Sequence, residues 1–391
     1  MTDQRLRELF DDLAETLPEG PSRASELWRQ GTRRRARGRW TAAAVAATVT
    51  ALVVAGVALS PEPVERGITI YPSLTPTPAI PPPPAMDTAP PPSGEAGLPT
   101  LATELPQEWA GLPVVSAVPG PVLALAEFGD GKIYLLKSGG RVPLDVKLGD
   151  SVDAGGNGGT PLKPNALAPD GTMAAFPQKD EVVVVDLVIG QVRRYPVPGF
   201  NEVVLWRGER LLVEQEEANY LLDLATGKVR RQPYAGFAGV AGYRDLRIVS
   251  PGEGGRTVLQ EGGWEVELDV RRLTDEGGMP VGVLGRHGWQ RGGLVAQSAY
   301  AHDDLPAVAA DVVVVADVAT GRVVRTLLLP WGNSPDTRCG KRGCAVRGWI
   351  GQETVIIESG DRLLGWNIGT GALSRVADLP EGVIAYSLRG W

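Results

Sequence analysis

Two nearly identical stretches, DLATGKVRR at Asp223–Arg231 and DVATGRVVR at Asp317–Arg325, decide the fold of this chain. Each places a short Asp-x-x-Thr-Gly turn between an apolar run and a run in which basic and apolar residues alternate. Glycine supplies the positive φ that such a turn needs, and valine-rich flanks suit half-buried strands. Both stretches are therefore predicted to be β-hairpins.

Similar hairpins recur along the rest of the chain, at intervals of roughly 40 to 50 residues. A repeat of this length, made of short strands with little helical periodicity, is typical of a β-propeller, in which four-stranded sheets are arranged radially. We therefore predict an all-β fold over residues 111–391. The predicted turn residues are Asp170, Gly171, Asp186, Gly190, Asp223, Gly227, Asp317, Gly321, Asn367 and Gly371.

The two ends of the repeat region predict a closed ring. The first unit, residues 121–147, has one strand too few, whereas the C-terminal stretch GVIAYSLRGW, residues 382–391, provides one strand in excess. If the last strand completes the first unit, six blades close into a ring. We predict six blades, with seven as the alternative.

The stretch ALAPDGTMAAF, Ala166–Phe176, resembles the Ser-Pro-Asp-Gly hairpin of TolB-like, WD-type propeller repeats, with Ala168 in the place of serine. In that family an Asp-Gly hairpin is followed by a strand and then by a turn like that at Asp186. The resemblance covers residues 111–391 and implies a module that binds a protein or a small ligand at one face of the ring. It implies no cofactor.

A transmembrane helix is predicted at Thr41–Leu59, because these nineteen residues carry no charge and a helix of this length spans roughly 28 Å. Positive charges precede this segment, whereas residues 60–110 contain one basic residue, Arg66. By the positive-inside rule the N-terminus is cytoplasmic and the propeller lies outside the cytoplasm. The residues that set this orientation are Arg33, Arg34, Arg35, Arg37, Arg39 and the interfacial Trp40.

A buried core helix and a cleaved signal peptide are the alternatives for this segment, although a charged lead of 40 residues is long for a signal peptide. Residues 60–110 are rich in proline, which favours extended polyproline II structure. We interpret them as a spacer that holds the propeller off the membrane.

The cytoplasmic head, residues 1–40, is predicted to contain one amphipathic helix whose apolar face consists of Leu6, Leu9, Phe10, Leu13 and Leu17. The head resembles the short lead of actinobacterial single-pass membrane proteins encoded beside extracytoplasmic-function sigma factors. This resemblance implies that the helix docks on a cytoplasmic regulator such as a sigma factor. A helix lying on the inner leaflet and a disordered segment are the alternatives. The head has no His or Cys for the zinc site that some anti-sigma domains contain.

The residue types needed for catalysis or metal binding are few. Cys339 and Cys344, the two cysteines of the chain, are expected to form a disulfide outside the membrane, with a redox-active pair as the alternative. His287 and His302 are the two histidines, and no Gly-x-Ser-x-Gly elbow is present, so we expect no catalytic residue and no metal site. The glycine-rich stretch at 149–161 lacks the spacing of a calcium loop.

Charge and aromatic content narrow the class of partner. Residues 1–40 are mildly basic, whereas the rest of the chain is acidic, with 30 Lys+Arg against 39 Asp+Glu, which argues against binding of nucleic acid. Several tryptophans fall in the later units and are interpreted either as blade core or as a binding surface at one mouth of the ring: Trp264, Trp289, Trp331, Trp349, Trp366 and Trp391.

We therefore expect a single-pass membrane protein that presents a binding module outside the cytoplasm and relays to a cytoplasmic regulator. The alternatives are an envelope scaffold with an inert anchor and an exported propeller enzyme that uses a metal.

Overall fold

The computed structural model describes residues 85–249, 256–268, 287–301, 310–330, 338–339 and 344–390. All of them belong to one compact unit, Ile80–Trp391. The predicted head, transmembrane segment and first part of the spacer lie outside the described residues. A search of the described residues finds no helix with the length and hydropathy needed to cross a membrane.

In the part of the chain that the structure describes, short antiparallel strands make up nearly all of the regular structure, together with one 3-10 helix, Pro92–Gly97. In chain order the strands are β1 (Ala85–Thr88), β2 (Ala124–Phe128), β3 (Ile133–Lys137), β4 (Gly140–Pro143), β5 (Ser151–Val152), β6 (Gly158–Gly159), β7 (Met173–Asp186), β8 (Val192–Phe200), β9 (Val203–Arg207), β10 (Arg210–Glu214), β11 (Tyr220–Asp223), β12 (Val229–Arg231), β13 (Val240–Ala241), β14 (Arg247–Val249), β15 (Val258–Glu261), β16 (Trp264–Glu267), β17 (Gly288–Arg291), β18 (Leu294–Ala301), β19 (Ala310–Asp317), β20 (Val323–Pro330), β21 (Val346–Ile350), β22 (Thr354–Ser359), β23 (Arg362–Asn367), β24 (Leu373–Asp378) and β25 (Val383–Leu388).

Four groups of strands have the order of a complete propeller blade, with four neighbouring antiparallel strands. Group I is β25-β2-β3-β4, group III is β9–β12, group V is β17–β20 and group VI is β21–β24. When such four-stranded sheets pack face to face, the side chains on the facing sides are buried between neighbouring sheets. The structure is therefore all-β and propeller-like, as the repeat predicts.

Two less regular groups complete the series. In group II, β7 turns back on itself at Asp180, whose φ is 64°, so that the Leu187 N–H donates to the Thr172 carbonyl at 2.8 Å. Residues 166–168 pair with the start of β7, and β8 pairs with its end. In group IV, residues 238–241 pair with β14, which continues into β15 and β16.

The two ends of the repeat region pair within one sheet. β25 lies antiparallel to β2, with Leu388 opposite Ala124 and Tyr386 opposite Ala126. This pairing confirms the prediction that the C-terminal strand completes the first unit. Its consequence is that the first and last parts of the repeat region share one set of backbone hydrogen bonds.

Each neighbouring pair of groups shares an apolar core. Buried residues join group I to II, II to III, III to IV, IV to V, V to VI and VI to I. Between V and VI, for example, Val313 and Leu327 pack with Trp366, and all three are completely shielded from solvent. Contacts therefore run from group to group and return to group I.

The region from residue 85 to 115, which we call the edge strap, differs from the spacer predicted for residues 60–110. β1 pairs in parallel with β20 of group V, Thr100 and Glu108 form bridges with β24 of group VI, and Val114 forms a bridge with β4 of group I. Trp109 is completely buried in the core between groups VI and I. The packed unit thus begins well before residue 111.

Candidate functional site

Two openings lie at opposite ends of the innermost strands. One, the polar mouth, is lined by residues at the start of these strands, such as Val383–Tyr386 of β25 and Arg347 of β21. The other, the aromatic mouth, is lined by residues at or just after their ends, such as Leu388 and Gly390, and by Trp349 of β21. The two openings therefore belong to opposite faces of the ring.

The polar mouth is a cavity of about 770 Å³ formed by groups I, II and VI. Its charged and hydrogen-bonding side chains are Thr160, Lys163, Arg347, Glu358, Asp361, Glu381 and Tyr386.

A compact network organises the inner wall of this cavity. Arg347 Nε lies 2.6 Å from Glu358 Oε2, and the Tyr386 hydroxyl donates to the same carboxylate oxygen. The Arg347 guanidinium also lies over the Tyr386 ring, 5.0 Å from its centroid. Burial raises the pKa of Tyr386 well above its ordinary value, so the hydroxyl remains a donor. The network is a preformed polar wall.

Lys163 adds a cation to this wall. Its ammonium group is half-buried, and burial lowers its pKa, an effect opposed by the carboxylates of Glu202 and Glu127. Asp361 and Glu381 lie at the exposed rim of the same cavity. A cation set inside an acidic rim suits a partner surface that presents both signs of charge.

The aromatic mouth lies on the axis of the ring, because every group contributes to its lining. The contributing residues are Leu388 and Gly390 from group I, residues 165–169 from II, Trp206 and Gly208 from III, residues 241–243 from IV, residues 289–291 from V and Trp349 from VI. The cavity measures about 290 Å³.

Indole groups in this lining bridge neighbouring groups. Trp206 of group III donates from Nε1 to the Ala166 carbonyl of group II at 3.2 Å. Trp349 of group VI donates in the same way to the Trp289 carbonyl of group V at 2.9 Å. Both side chains are buried, so these hydrogen bonds hold the indoles in fixed positions.

The other tryptophans divide between core and surface. Trp366 is completely buried and donates to Asp87 Oδ2 of the edge strap at 2.8 Å, whereas Trp264 on β16 is 37% exposed. Trp331 and Trp391 lie outside the described residues. Trp366 is therefore blade core, Trp264 lies on the surface away from both mouths, and Trp289 and Trp349 line the aromatic mouth.

The repeated turns have a structural role. Oδ1 of Asp223 accepts hydrogen bonds from the backbone N–H and hydroxyl of Thr226, at 2.8 and 2.7 Å, and Asp317 makes the same pair with Thr320. Hydrogen bonding to Thr226 lowers the pKa of Asp223. Every predicted turn glycine has a positive φ, which is 74° at Gly171, 72° at Gly190, 69° at Gly227, 67° at Gly321 and 80° at Gly371.

The remaining predicted turn carboxylates and amide make the same type of bond. Asp170 accepts from Thr172, Asp186 from Val188 and Ile189, and Asn367 from Thr370. Since the first and third turns of an antiparallel four-stranded sheet lie at one end, these turns lie on the face of the aromatic mouth. None of these turn residues lines either mouth.

Cys339 and Cys344 are joined in a disulfide. Cys344 Sγ also lies 3.4 Å from Asp311 Oδ2. Within the described residues, these three side chains form the one cluster with the spacing of metal ligands. Because both sulfurs are in the disulfide, neither is a thiolate ligand, and the cluster does not fit a metal ion.

Of the two histidines considered for catalysis, the structure describes His287 and not His302. His287 Nε2 lies 3.1 Å from Glu214 Oε2, a carboxylate with no solvent exposure that also accepts from the Gly239 N–H at 2.8 Å. His302 lies outside the described residues. In the glycine-rich stretch, Asp153 accepts from the backbone and the side chain of Asn157, both at 2.8 Å.

The predicted cytoplasmic and membrane residues also lie outside the described residues, so they stay predictions: Leu6, Leu9, Phe10, Leu13, Leu17, Arg33, Arg34, Arg35, Arg37, Arg39 and Trp40.

Sequence reasoning named Trp289 and Trp349 as candidates for one mouth, as one of two interpretations, and missed the rest of the lining of both mouths. One signal was present for the aromatic mouth, since Trp206 in VVLWR and Trp349 in VRGWI occupy the same place, the fourth residue of an innermost strand. No comparable pattern marks Lys163 or Tyr386, which come from distant, differently built segments.

No protein-family model and no curated protein matches this chain. Among solved structures, it is similar to hydrazine synthase of Kuenenia stuttgartiensis, with 13% identity over 66% of this chain and 79% of that one, at a TM-score of 0.38. It is also similar to apo AztD of Citrobacter koseri, with 13% identity over 68% and 88% of the two chains, at a TM-score of 0.35. At this sequence identity and TM-score, neither similarity supports a statement about the function of this chain.

Proposed function

We propose that this chain is a single-pass membrane protein that presents a six-bladed propeller outside the cytoplasm and binds a protein partner at its polar mouth. The observation that carries the binding role is the preformed polar wall of Arg347, Glu358 and Tyr386 inside a cavity of about 770 Å³. Preorganised groups lose little freedom on binding, which favours specific recognition.

Six blades are supported by the shared cores. Groups I to VI are linked pairwise in a cycle, and β25 completes group I, so each group has two packed neighbours. A seventh blade would need to separate two groups that share buried side chains. Propellers of this kind have short, protected sheet edges and broad faces for binding.

The membrane anchor and its orientation are supported by the uncharged segment Thr41–Leu59 and the five arginines before it. The head, with its apolar face Leu6 to Leu17, would then lie in the cytoplasm and dock on a regulator such as a sigma factor. A binding role is preferred to catalysis because Arg347, Glu358 and Tyr386 of the polar wall already pair with one another.

The orientation is tested with epitope tags on intact cells. One tag is placed at the N-terminus and one in the exposed turn at Gly156. External protease is expected to remove the Gly156 tag and to leave the N-terminal tag intact until the cells are opened. Protection of both tags in intact cells would exclude the proposed orientation.

The binding site is tested by photo-crosslinking in living cells from a photoreactive amino acid at Glu381, on the polar mouth, with the exposed Glu217 as the matched control position. We expect one discrete protein adduct from position 381, absent from position 217 and lost when Lys163→Glu reverses the charge inside the cavity. Lys228→Glu, an exposed lysine in a turn, is the control for the charge change. Identical adducts from both positions would contradict the proposal.

The envelope scaffold is the second candidate, and the wrapping of the edge strap favours it, because an anchored rigid ring is a suitable scaffold. Replacing residues 1–59 with an unrelated anchor separates the two candidates. If the protein is a scaffold, cells with the exchanged anchor keep the phenotype of the parent strain. If it is a relay, they lose that phenotype.

A further inference from the structure

The aromatic mouth has the walls of a small-molecule site. Trp206, Trp289 and Trp349 line it, together with aliphatic groups such as Leu167 and Leu388. Since the indole N–H groups of Trp206 and Trp349 already donate to neighbouring carbonyls, these side chains offer ring surface to the cavity. Fixed aromatic surfaces favour planar aromatic molecules, which stack against them or meet them edge to face.

Two polar groups in the lining lack partners among the described residues. Asn165 is 4% exposed, and its Oδ1 atom accepts no hydrogen bond. The Nε atom of Arg291 is buried and donates none. A buried polar atom without a partner costs free energy, which a ligand recovers by supplying the missing donor or acceptor. Other polar lining groups are satisfied, because Gln290 bonds with Gly292 and Arg244.

The size of the cavity limits the ligand. A volume of about 290 Å³ lies near the lower end of the range for small-molecule sites. It accommodates one bicyclic ring system with a short acidic substituent. At the rim, the 61%-exposed Tyr243 donates from its hydroxyl to the Gly292 carbonyl at 3.0 Å, which links groups IV and V at the opening.

We propose that the aromatic mouth binds a small planar aromatic acid. Its ring lies against Trp289 and Trp349, an N–H or O–H group of the ring donates to Asn165 Oδ1, and its carboxylate pairs with the Arg291 guanidinium. Arginine is permanently charged and suits carboxylates, so the acid and not its neutral analogue is selected. This site lies on the face opposite the polar mouth and goes beyond the proposed function, because it needs neither the membrane nor a protein partner.

Isothermal titration calorimetry on the full chain in lipid nanodiscs tests this proposal, with indole-3-acetate as the probe. We expect saturable one-to-one binding to the chain. Two analogues probe the two polar groups without any change in the protein. 1-Methylindole-3-acetate lacks the N–H donor, and indole-3-acetamide lacks the charge; each is expected to bind roughly tenfold more weakly.

Substitutions of Asn165 and Arg291 test the same two contacts by changing the protein instead of the ligand. Asn165→Leu removes the acceptor and Arg291→Gln removes the charge, and each is expected to weaken indole-3-acetate roughly tenfold. Asn165→Leu should also bind indole-3-acetate and 1-methylindole-3-acetate with equal affinity. Arg291→Gln should bind indole-3-acetate and indole-3-acetamide with equal affinity. Arg230→Gln, at an exposed position of β12, is the matched control and should bind as the parent chain does.

Three outcomes would overturn the proposal. The first is no saturable binding of indole-3-acetate by the folded parent chain. The second is equal affinity of the parent chain for the probe and both analogues. This comparison does not depend on the folding of any variant. The third is binding only by a chain shortened by one residue, because Trp391 directly follows the lining residue Gly390 and its own indole would then be the occupant.

Discussion

At the scale of single residues, the repeated turns show why one motif can recur without a shared binding role. Gly190 and Gly321 have nearly the same φ, 72° and 67°, and each closes a turn that begins with an aspartate. Their surroundings differ. A Cβ at Gly321 would lie 2.1 Å from the Glu267 carbonyl oxygen of the neighbouring group, whereas a Cβ at Gly190 would meet no heavy atom within 4 Å. The second turn is therefore also a contact between groups IV and V.

This difference predicts unequal costs for the same substitution. Gly190→Ala should lower the free energy of unfolding by about 1 kcal/mol, because only the left-handed backbone conformation is disfavoured. Gly321→Ala adds a clash with backbone and should cost about 3 kcal/mol. Urea unfolding followed by circular dichroism measures both values. Equal losses would show that the two groups do not pack as described.

At the scale of elements, the edge strap covers the outer strands of groups V, VI and I. Asp87 connects it to two of these groups, since its carboxylate accepts from Arg325 Nε at 2.6 Å and from Trp366 Nε1 at 2.8 Å. Farther along, the buried Glu95 accepts from the Ser359 hydroxyl at 2.6 Å, and burial raises the pKa of this carboxyl. Covered outer strands offer fewer free backbone groups for pairing with other chains.

The contact that Asp87 makes between the strap and groups V and VI should weaken in acid. Hydrogen bonding to Arg325 lowers the pKa of Asp87 below 3.8, so its stabilisation is fully present above about pH 4 and is lost as the pH falls through the lowered pKa. Asp87→Asn should therefore reduce the melting temperature by a few degrees at pH 7, with the difference from the parent chain shrinking below pH 3.8. Glu217→Gln, at an exposed turn, is the control. A difference that does not depend on pH would contradict this role for the carboxylate.

At the scale of the whole molecule, the pairing of β25 with β2 joins the two ends of the repeat region. Tyr386 of β25 contributes to the core between groups VI and I and to the polar mouth. Leu388, two residues later on the same strand, lines the aromatic mouth. One terminal strand thus takes part in the closure of the ring and in both candidate sites.

Deletion of residues 383–391 should abolish cooperative thermal unfolding, because it exposes Leu125, Ala126 and the rest of the buried face of β2. A synthetic peptide of residues 380–391, added in excess, should restore a cooperative transition by binding in the register of β25. Deletion of Trp391 alone is the control. An unchanged melting curve after the larger deletion would refute closure by this strand.

The sequence predicted those parts of the fold that depend on neighbouring residues. Hairpins such as Asp223–Arg231 are local, since the turn and both strands lie within a few residues, and the surplus strand at 382–391 could be recognised by counting. The edge strap could not be recognised. Proline-rich composition is typical of a spacer, and nothing near Ala85 indicates its pairing with Arg325, 240 residues away.

The candidate sites were less predictable than the fold for the same physical reason. Each mouth is assembled from segments separated by many residues, such as Lys163 and Tyr386 at the polar mouth. Local patterns report turns and strands, whereas a cavity at the ring axis depends on where separate groups meet. The repeated position of Trp206 and Trp349 was the exception, because it recurs with the repeat itself.

The late position of β25 has a consequence for biosynthesis. Strands β2 to β4 leave the ribosome more than 230 residues before their partner, so group I waits as a three-stranded sheet while the other groups are made. The pairing of β2 with β25 can form only when residues 383–388 have been synthesised. Any premature stop codon upstream of Val383 therefore yields an open chain, which proteases of the cell can distinguish from the finished product.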